Sequence, residues 1–378
     1  MSRLEGPALF HRDRKRGQTP LNGTAAVSTG LEPRISEPAV GSAMAGHRPC
    51  QCRTDNVPKK VIVSEAIYPE GLEVLRQGCD VIYLPKLPGQ TLGDHIHEAH
   101  GVVVRVTGID RQLLEKAPFL RIIAKHGVGY DNIDVQAATR KRVVVTHTPH
   151  DNAQSVAEHN LGLMIGLSKR LIVADRALRT ASARRREDYM GVELQGKTLG
   201  LVGVGRIGST LAAQCRAAFG MEVVAFDPYV DSQRAASLGV TKIDRLDDLL
   251  GRTDYLVVCV PLTAQTANLI GERQLGLMKP EAYLVNSSRG GIVDEDALAS
   301  HLAEGRLAGA AMDVFGHEPP PADHPLLGLA NFIGTPHIAG MTHQSMHRMG
   351  MTVAEEILRV LGGQRARFPV NSQVFDEA

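Results

Sequence analysis

No apolar run in the 378-residue sequence approaches the roughly 18 uninterrupted residues that a bilayer span needs. The N-terminus also lacks the compact apolar core of a secretory signal, so a cytoplasmic protein without membrane attachment is expected. Charge of one sign is missing as well. Lys and Arg number 42 against 41 Asp and Glu, a net charge of +1, which leaves no global field to draw in nucleic acid. Cysteine is scarce: Cys50, Cys52, Cys79, Cys215 and Cys259 are odd in number and scattered, which argues against a disulfide framework and for reduced thiols. Cys259 sits in the apolar run Tyr255 to Val260 and reads as core. His47, Cys50 and Cys52 lie close enough to share an ion, but a structural zinc site takes four ligands and no fourth is near, so no metal is expected.

What is present is a globular pattern long enough for two cores, with 43% hydrophobic residues. Residues 1–57 mix Gly, Pro, Ser, Ala and Arg without periodicity and read as a disordered extension. It is weakly basic, with ten basic against five acidic residues through Lys60. From Lys59 onward, short β-branched runs alternate with amphipathic stretches, the pattern of parallel sheets wrapped by helices. Strands are expected at Val61 to Ser64, Val81 to Leu84, Gly101 to Val106, Leu120 to Lys125 and Val143 to Thr146. One long helix is expected from Ser155 to Leu178, buried through Leu161, Met164, Ile165, Leu167 and Leu171. The Arg184-Arg185-Arg186 run after it reads as a solvated linker.

A second series brings strands at Thr198 to Val202, Glu222 to Phe226, Tyr255 to Val260, Tyr283 to Asn286, Gly309 to Met312 and Asn331 to Ile333, six in all. A helix from Met341 to Leu361 and an extended tail from Arg367 to Asn371 then return to the first domain. The expected fold class is α/β, two Rossmann-like domains. A doubly wound dinucleotide-binding domain, 151–336, is inserted in a smaller flavodoxin-like domain, 58–150 and 337–378.

Gly203-Val204-Gly205-Arg206-Ile207-Gly208 fits G-x-G-x-x-G, in which glycines allow a tight turn, close approach of a pyrophosphate, and close helix packing. Alone the hexapeptide is weak evidence. Here it follows a strand, opens a helix from Arg206 to Phe219, and precedes a second strand ending at Asp227. Free amides and the positive helix end would face the pyrophosphate, with Arg206 adding charge. Asp227 would accept from the ribose hydroxyls and repel a 2′-phosphate, which favours NAD over NADP.

Three charged residues stand at strand ends in this second series. Arg289 lies in Asn286-Ser287-Ser288-Arg289-Gly290-Gly291, Glu318 in Asp313-Val314-Phe315-Gly316-His317-Glu318-Pro319, and His337 in Thr335-Pro336-His337-Ile338-Ala339-Gly340. A guanidinium can hold a carboxylate in bidentate fashion, and a carboxylate beside an imidazole orients it and raises its basicity. That set meets what hydride transfer from a 2-hydroxy acid requires: a base, a cation and an aligned nicotinamide. Singly, each residue has an ordinary reading as surface Arg, loop Glu or capping His. The combination carries the assignment.

At this point the chain from Lys59 to Asn371 resembles the D-isomer-specific 2-hydroxyacid dehydrogenase family, which includes phosphoglycerate dehydrogenases and hydroxypyruvate reductases. The marks are KHGVGYDNID at Lys125 to Asp134, NAQSVAE at Asn152 to Glu158, LGLVGVGRIG at Leu199 to Gly208, VPLT at Val260 to Thr263, and the three segments just named. The resemblance implies that Arg289, Glu318 and His337 are catalytic and that Asp313 holds the nicotinamide carboxamide. It implies cofactor contacts at Gly203, Gly205, Arg206, Ile207, Gly208, Asp227, Val260, Pro261, Ser287, Ser288 and Gly340. Amides of Gly127, Val128 and Gly129 would bind the substrate carboxylate, and Arg105 would face the substrate.

It further implies a small 2-hydroxy or 2-oxo acid as the partner, and a homodimer through the nucleotide domains. Lys125-His126 departs from the pair many relatives carry, so a different distal group on the substrate is an open expectation. About 41 residues follow His337, too few for the regulatory domain of longer phosphoglycerate dehydrogenases, so serine feedback is not expected. A formate dehydrogenase would pair its histidine with glutamine, and Glu318 argues against it. A corepressor built on the same fold would be expected to carry a basic recognition helix, and none is seen.

Overall fold

The structure, a computed structural model, describes residues 58–376. The expected extension 1–57, with His47, Cys50 and Cys52, lies outside the described residues. Five strands form the first sheet: β1 Lys60–Val63, β2 Asp80–Tyr83, β3 Gly101–Val104, β4 Ile122–Lys125 and β5 Val144–Thr146, in the order β2-β1-β3-β4-β5. All its pairings are parallel. This is the flavodoxin-like order.

The second sheet has seven strands: β6 Thr198–Val202, β7 Glu222–Phe226, β8 Thr241–Lys242, β9 Tyr255–Val258, β10 Tyr283–Asn286, β11 Gly309–Met312 and β12 Phe332–Gly334. Their order is β12-β11-β10-β9-β6-β7-β8, which reverses at β6 as a doubly wound dinucleotide fold does. The seventh strand, β8, is an addition to the six expected. At two residues it shows no alternation by which a sequence could announce it.

Parallel strands covered on both faces are near-continuously apolar, and the central stretches of these are, with polar residues such as Thr198, Glu222 and Asn286 at strand ends. Val202, Val224, Leu256, Val258, Leu284 and Met312 face one core with Leu249 and Leu298, while Leu199, Leu201, Val223, Val257 and Val285 face the other with Met164 and Leu211. Successive residues of one strand thus serve opposite cores.

One expectation needs correction. The single helix Ser155 to Leu178 is two helices, Ala153–Ser168 and Leu171–Arg179, parted by Arg170 in the left-handed region at φ +54°. The carbonyl of Ser168 accepts from the amide of Val192 at 2.9 Å instead of continuing the helix, and Gly191 packs directly on that carbonyl. Leu171, expected in the buried face, is 51% exposed. The Ala153–Ser168 helix packs on the seven-stranded lobe, whereas the C-terminal helix His343–Leu361 packs on the Pro69–Gly78 helix and β3 to β5 of the other. Beyond it the amide of Val370 donates to Val145 O at 2.7 Å, closing the chain onto β5.

Candidate active site

Strand register puts the candidate residues in one row. Phe226, Val202, Val258, Asn286, Met312 and Gly334 are successive partners across β7, β6, β9, β10, β11 and β12. The residues immediately after that row are Asp227, Gly203, Cys259, Ser287, Asp313 and Thr335. Each candidate in the second series therefore leaves the sheet along the edge where parallel α/β folds hold ligands.

The glycine loop is shaped by what its residues lack. Gly203 has φ +94°, and a Cβ there would lie 2.8 Å from Cys259 O; one on Gly208 would overlap Gly203 O. A Cβ on Gly205 would meet open space. The loop is thus packed from below and open above, at the first turn of the Arg206–Phe219 helix, whose leading amides have no intrahelical acceptor. Asp227 Oδ2 accepts from the Val204 amide at 2.9 Å and Oδ1 from the Tyr229 amide at 2.9 Å, which aims its carboxylate beside the loop. Arg206 and Gly205 are exposed, Ile207 is half-buried, and Arg206 Nη2 lies 3.4 Å from His150 Nε2. These residues fit a dinucleotide.

Val260 is half-buried and Pro261 exposed at the end of β9. Ser287 and Ser288 are half-buried, and the Ser288 hydroxyl donates to Val258 O at 2.7 Å. Gly340 lies against Asn152, with room for a Cβ only 3.2 Å from Nδ2.

His337 and Glu318 meet: Nδ1 is 2.7 Å from Oε2. Glu318 Oε1 accepts from the Phe315 amide at 3.1 Å, which holds the carboxylate in place. His337 has φ +54°, a conformation uncommon outside glycine. Asp313 accounts for it. This fully buried residue accepts the His337 amide on its backbone carbonyl at 2.8 Å, and its carboxylate accepts from Thr335 Oγ1 at 2.6 Å, Ile338 N at 2.9 Å and Ala339 N at 2.8 Å. The turn carrying the imidazole is thereby built on one buried acid.

Arg289 reaches across to the first lobe. Its Nε donates to Asp131 Oδ2 at 2.7 Å and its Nη1 to Ser288 O at 2.6 Å. A Cβ at position 129 would overlap this guanidinium, so a side chain there would displace Arg289 from its present position. The Gly127 to Gly129 loop and Arg289, from different lobes, are side by side. Gly290 in turn abuts the Phe315 backbone, bringing Arg289 next to the Glu318 loop.

On the first lobe, Arg105 follows β3 and is half-buried; its Nη2 lies 3.0 Å from Met341 Sδ. Lys125 ends β4 and is buried, its Nζ donating to Arg105 O and to Asn132 Oδ1 at 2.6 Å. Burial first, then the nearby Arg289, pushes this lysine down to about 8, against the partial restoring effect of Glu65 and Asp131. His126 is buried with no well-formed hydrogen bond to either ring nitrogen, and burial, then Arg105, pushes it down to about 4. Glu65, Asp131 and Asn132 have no role assigned by the sequence, and His126 entered only with Lys125 as a departure from the pair many relatives carry. Asp131, Asn132 and His126 stood inside a motif, but nothing in the sequence marked Glu65.

Among the described residues no group of His, Cys, Asp and Glu could hold a metal ion, and no helix is long and apolar enough to cross a membrane.

Comparisons with known proteins show which family the chain resembles. Residues 161–339 match the family described as D-isomer specific 2-hydroxyacid dehydrogenase, NAD binding domain. The chain is 40% identical over 313 residues to a D-3-phosphoglycerate dehydrogenase of Methanocaldococcus jannaschii, covering 82% of this chain and 59% of that protein. It therefore spans less than two thirds of that relative. A glyoxylate reductase of Aeropyrum pernix is 39% identical over 325 residues, covering 83% of this chain and 96% of the reductase. The structure of an Aquifex aeolicus D-lactate dehydrogenase complexed with NAD and lactic acid superposes with a TM-score of 0.71 at 30% identity, covering 81% of this chain and 96% of that one. With 96% of the glyoxylate reductase covered at 39% identity, the chain belongs to the D-isomer specific 2-hydroxyacid dehydrogenase family and carries its NAD binding domain.

Proposed function

We propose that the protein moves a hydride between NAD(H) and C2 of a small D-2-hydroxy acid or its 2-oxo acid, of the phosphoglycerate, hydroxypyruvate or glyoxylate type. The observation that carries this reading is the 2.7 Å pair of His337 Nδ1 and Glu318 Oε2, held at the strand edge that also bears the glycine loop. NAD, when bound, supplies the hydride acceptor. Glu318 keeps the proton on Nδ1 and so leaves Nε2 of His337 as the base for the C2 hydroxyl; in reduction the same nitrogen returns the proton. Arg289 stabilises the charge developing on the C2 oxygen, sharing its guanidinium between substrate and Asp131. The amides of Gly127, Val128 and Gly129 hold the C1 carboxylate, Arg105 faces the other end of the substrate, and Asp313 sets both the His337 turn and the nicotinamide.

Asp227 supports NAD over NADP, because an anion already fixed by two amides would repel a 2′-phosphate. A cytoplasmic homodimer completes the proposal. Leu171, Ile172, Leu178, Met190 and Val192 of the nucleotide lobe are all exposed apolar side chains, a surface that a second copy would cover.

The test is loss of NADH absorbance with glyoxylate, hydroxypyruvate, pyruvate or 2-oxoglutarate, for the wild type and His337→Ala. The expected result is turnover of at least one acid, with kcat about 10²–10⁴-fold lower in the variant and NADH binding retained. Full activity in His337→Ala overturns the reading.

A further inference from the structure

Glu65 spends its carboxylate on backbone. It accepts from three consecutive amides, Arg105 N at 2.8 Å, Val106 N at 3.0 Å and Thr107 N at 2.6 Å, as well as from Thr107 Oγ1 at 2.6 Å and the Ser64 hydroxyl. Three successive N–H groups converging on one point form a concavity suited to an anion, and here the protein fills it with its own side chain. Burial would push the Glu65 carboxyl up, but the Ser64, Thr107 and amide bonds outweigh it and hold the group below the usual carboxylate range.

The carbonyls of the same segment are also taken. Arg105 O accepts from Lys125 Nζ, and Thr107 O accepts from Asn132 Nδ2 at 2.7 Å, while Asn132 Oδ1 accepts from the same lysine. Adjacent strands β1, β3 and β4 thus deliver a carboxylate, a loop and an ammonium to one place. Nothing in this set neutralises Arg105. Glu65 is saturated by amides, and among the described residues no carboxylate pairs with the Arg105 guanidinium, whose contact is Met341 Sδ. Beside it Val106 is 71% exposed.

We propose that Glu65, Lys125 and Asn132 are positioning residues. They lock the Arg105–Thr107 segment so that Arg105 selects substrates carrying a second anionic group at the end remote from C1. The proposal rests on the dehydrogenase reading above and deepens it. β3 and β4 are neighbours, about 4.8 Å apart, so an acid of three or so carbons held at C1 by the β4 loop brings its far end to the β3 loop. A flexible Arg105 would spend binding energy on being ordered; a locked one gives it to the anion.

The test uses the full chain with NADH and two substrates, glyoxylate, which has no distal group, and 3-phosphohydroxypyruvate, which has a dianionic one. Glu65→Gln keeps the volume but turns a donor toward the amides. It is expected to lower kcat/KM about tenfold for the phosphorylated acid and by less than about threefold for glyoxylate. Asn132→Ala should act in the same direction, and Glu65→Gln should lose its selective effect in an Arg105→Met background. Amide exchange at residues 105–107 should rise in Glu65→Gln with or without substrate. Equal losses on both substrates, or additive losses in the double variant, overturn the proposal, as does a wild type that reduces glyoxylate but not the phosphorylated acid. Unchanged exchange at 105–107 overturns the lock itself. Silence of the wild type on every 2-oxo acid overturns the dehydrogenase reading instead.

Discussion

The two halves of the cleft are made in opposite ways. On the cofactor side, space is created by side chains that are missing: Gly203 and Gly208 pack where no Cβ fits, and Gly205 leaves its outer face open. On the side proposed to hold the substrate, shape comes from charged and polar side chains, the buried Lys125 and the half-buried Glu65 and Asn132, bonded to loop backbone. A pyrophosphate is the same in every dinucleotide, so bare amides suffice for it. Acids differ beyond C2, and the half proposed to distinguish them is built from side chains that substitution can change.

The comparison can be broken first where the halves meet. Glu318→Gln leaves His337 without its anionic partner, and kcat should fall by roughly 10²-fold while NADH affinity, read by fluorescence titration, holds. A fall in NADH affinity of similar size would mean that the pair serves the cofactor half. Next in size is Gly203→Ala. The left-handed conformation alone costs roughly 1–2 kcal/mol, and the Cβ would press on Cys259 O at 2.8 Å. A lower Tm with weakened NADH binding is expected, and an unchanged Tm would show that the turn relaxes freely.

The substrate half should instead respond to pH. Lys125 carries its proton below about 8 and loses it above, so KM for the 2-oxo acid should rise through that pH, by up to about tenfold per unit. In Lys125→Met this limb should be gone while KM for NADH is unaffected; a limb that persists assigns it elsewhere. For stability the same shift has the opposite sign. An ammonium held below its ordinary 10.5 is a cost when charged, so this group's contribution becomes more favourable as pH rises from about 8 toward 10.5. The smallest effect on activity is expected outside the cleft. Leu178, 72% exposed, changed to Glu should leave Tm of the monomer nearly unmoved yet shift light scattering from dimer to monomer. A dimer that survives places the interface on another face.

How much of this was legible follows the same division. Eleven of the twelve strands, each to within two residues at its start, the Arg206–Phe219 helix and the glycine loop could be read because their signals are local: apolar runs and a fingerprint. His337, Glu318 and Arg289 could be singled out because their residue types match a chemistry and each follows an expected strand. Glu65 could not. It is an acid two residues past β1 whose partners are 40 to 42 positions away, and no periodicity connects them. The helix break at Arg170 was hidden for a similar reason, since the amide that takes Ser168 O comes from Val192.

By itself the sequence determined the alternation of strand and helix, the nucleotide loop and the residue types of the proposed catalytic set, because these depend on neighbours in the chain. Tertiary structure alone decided that β10, β11 and β12 align so that Arg289, Glu318 and His337 emerge from one edge. It also decided that Arg289 packs on Gly129 of the other lobe and that a carboxylate from β1 anchors the loop after β3. Register and sheet order are set by long-range burial of the strand faces, a property that no single segment carries.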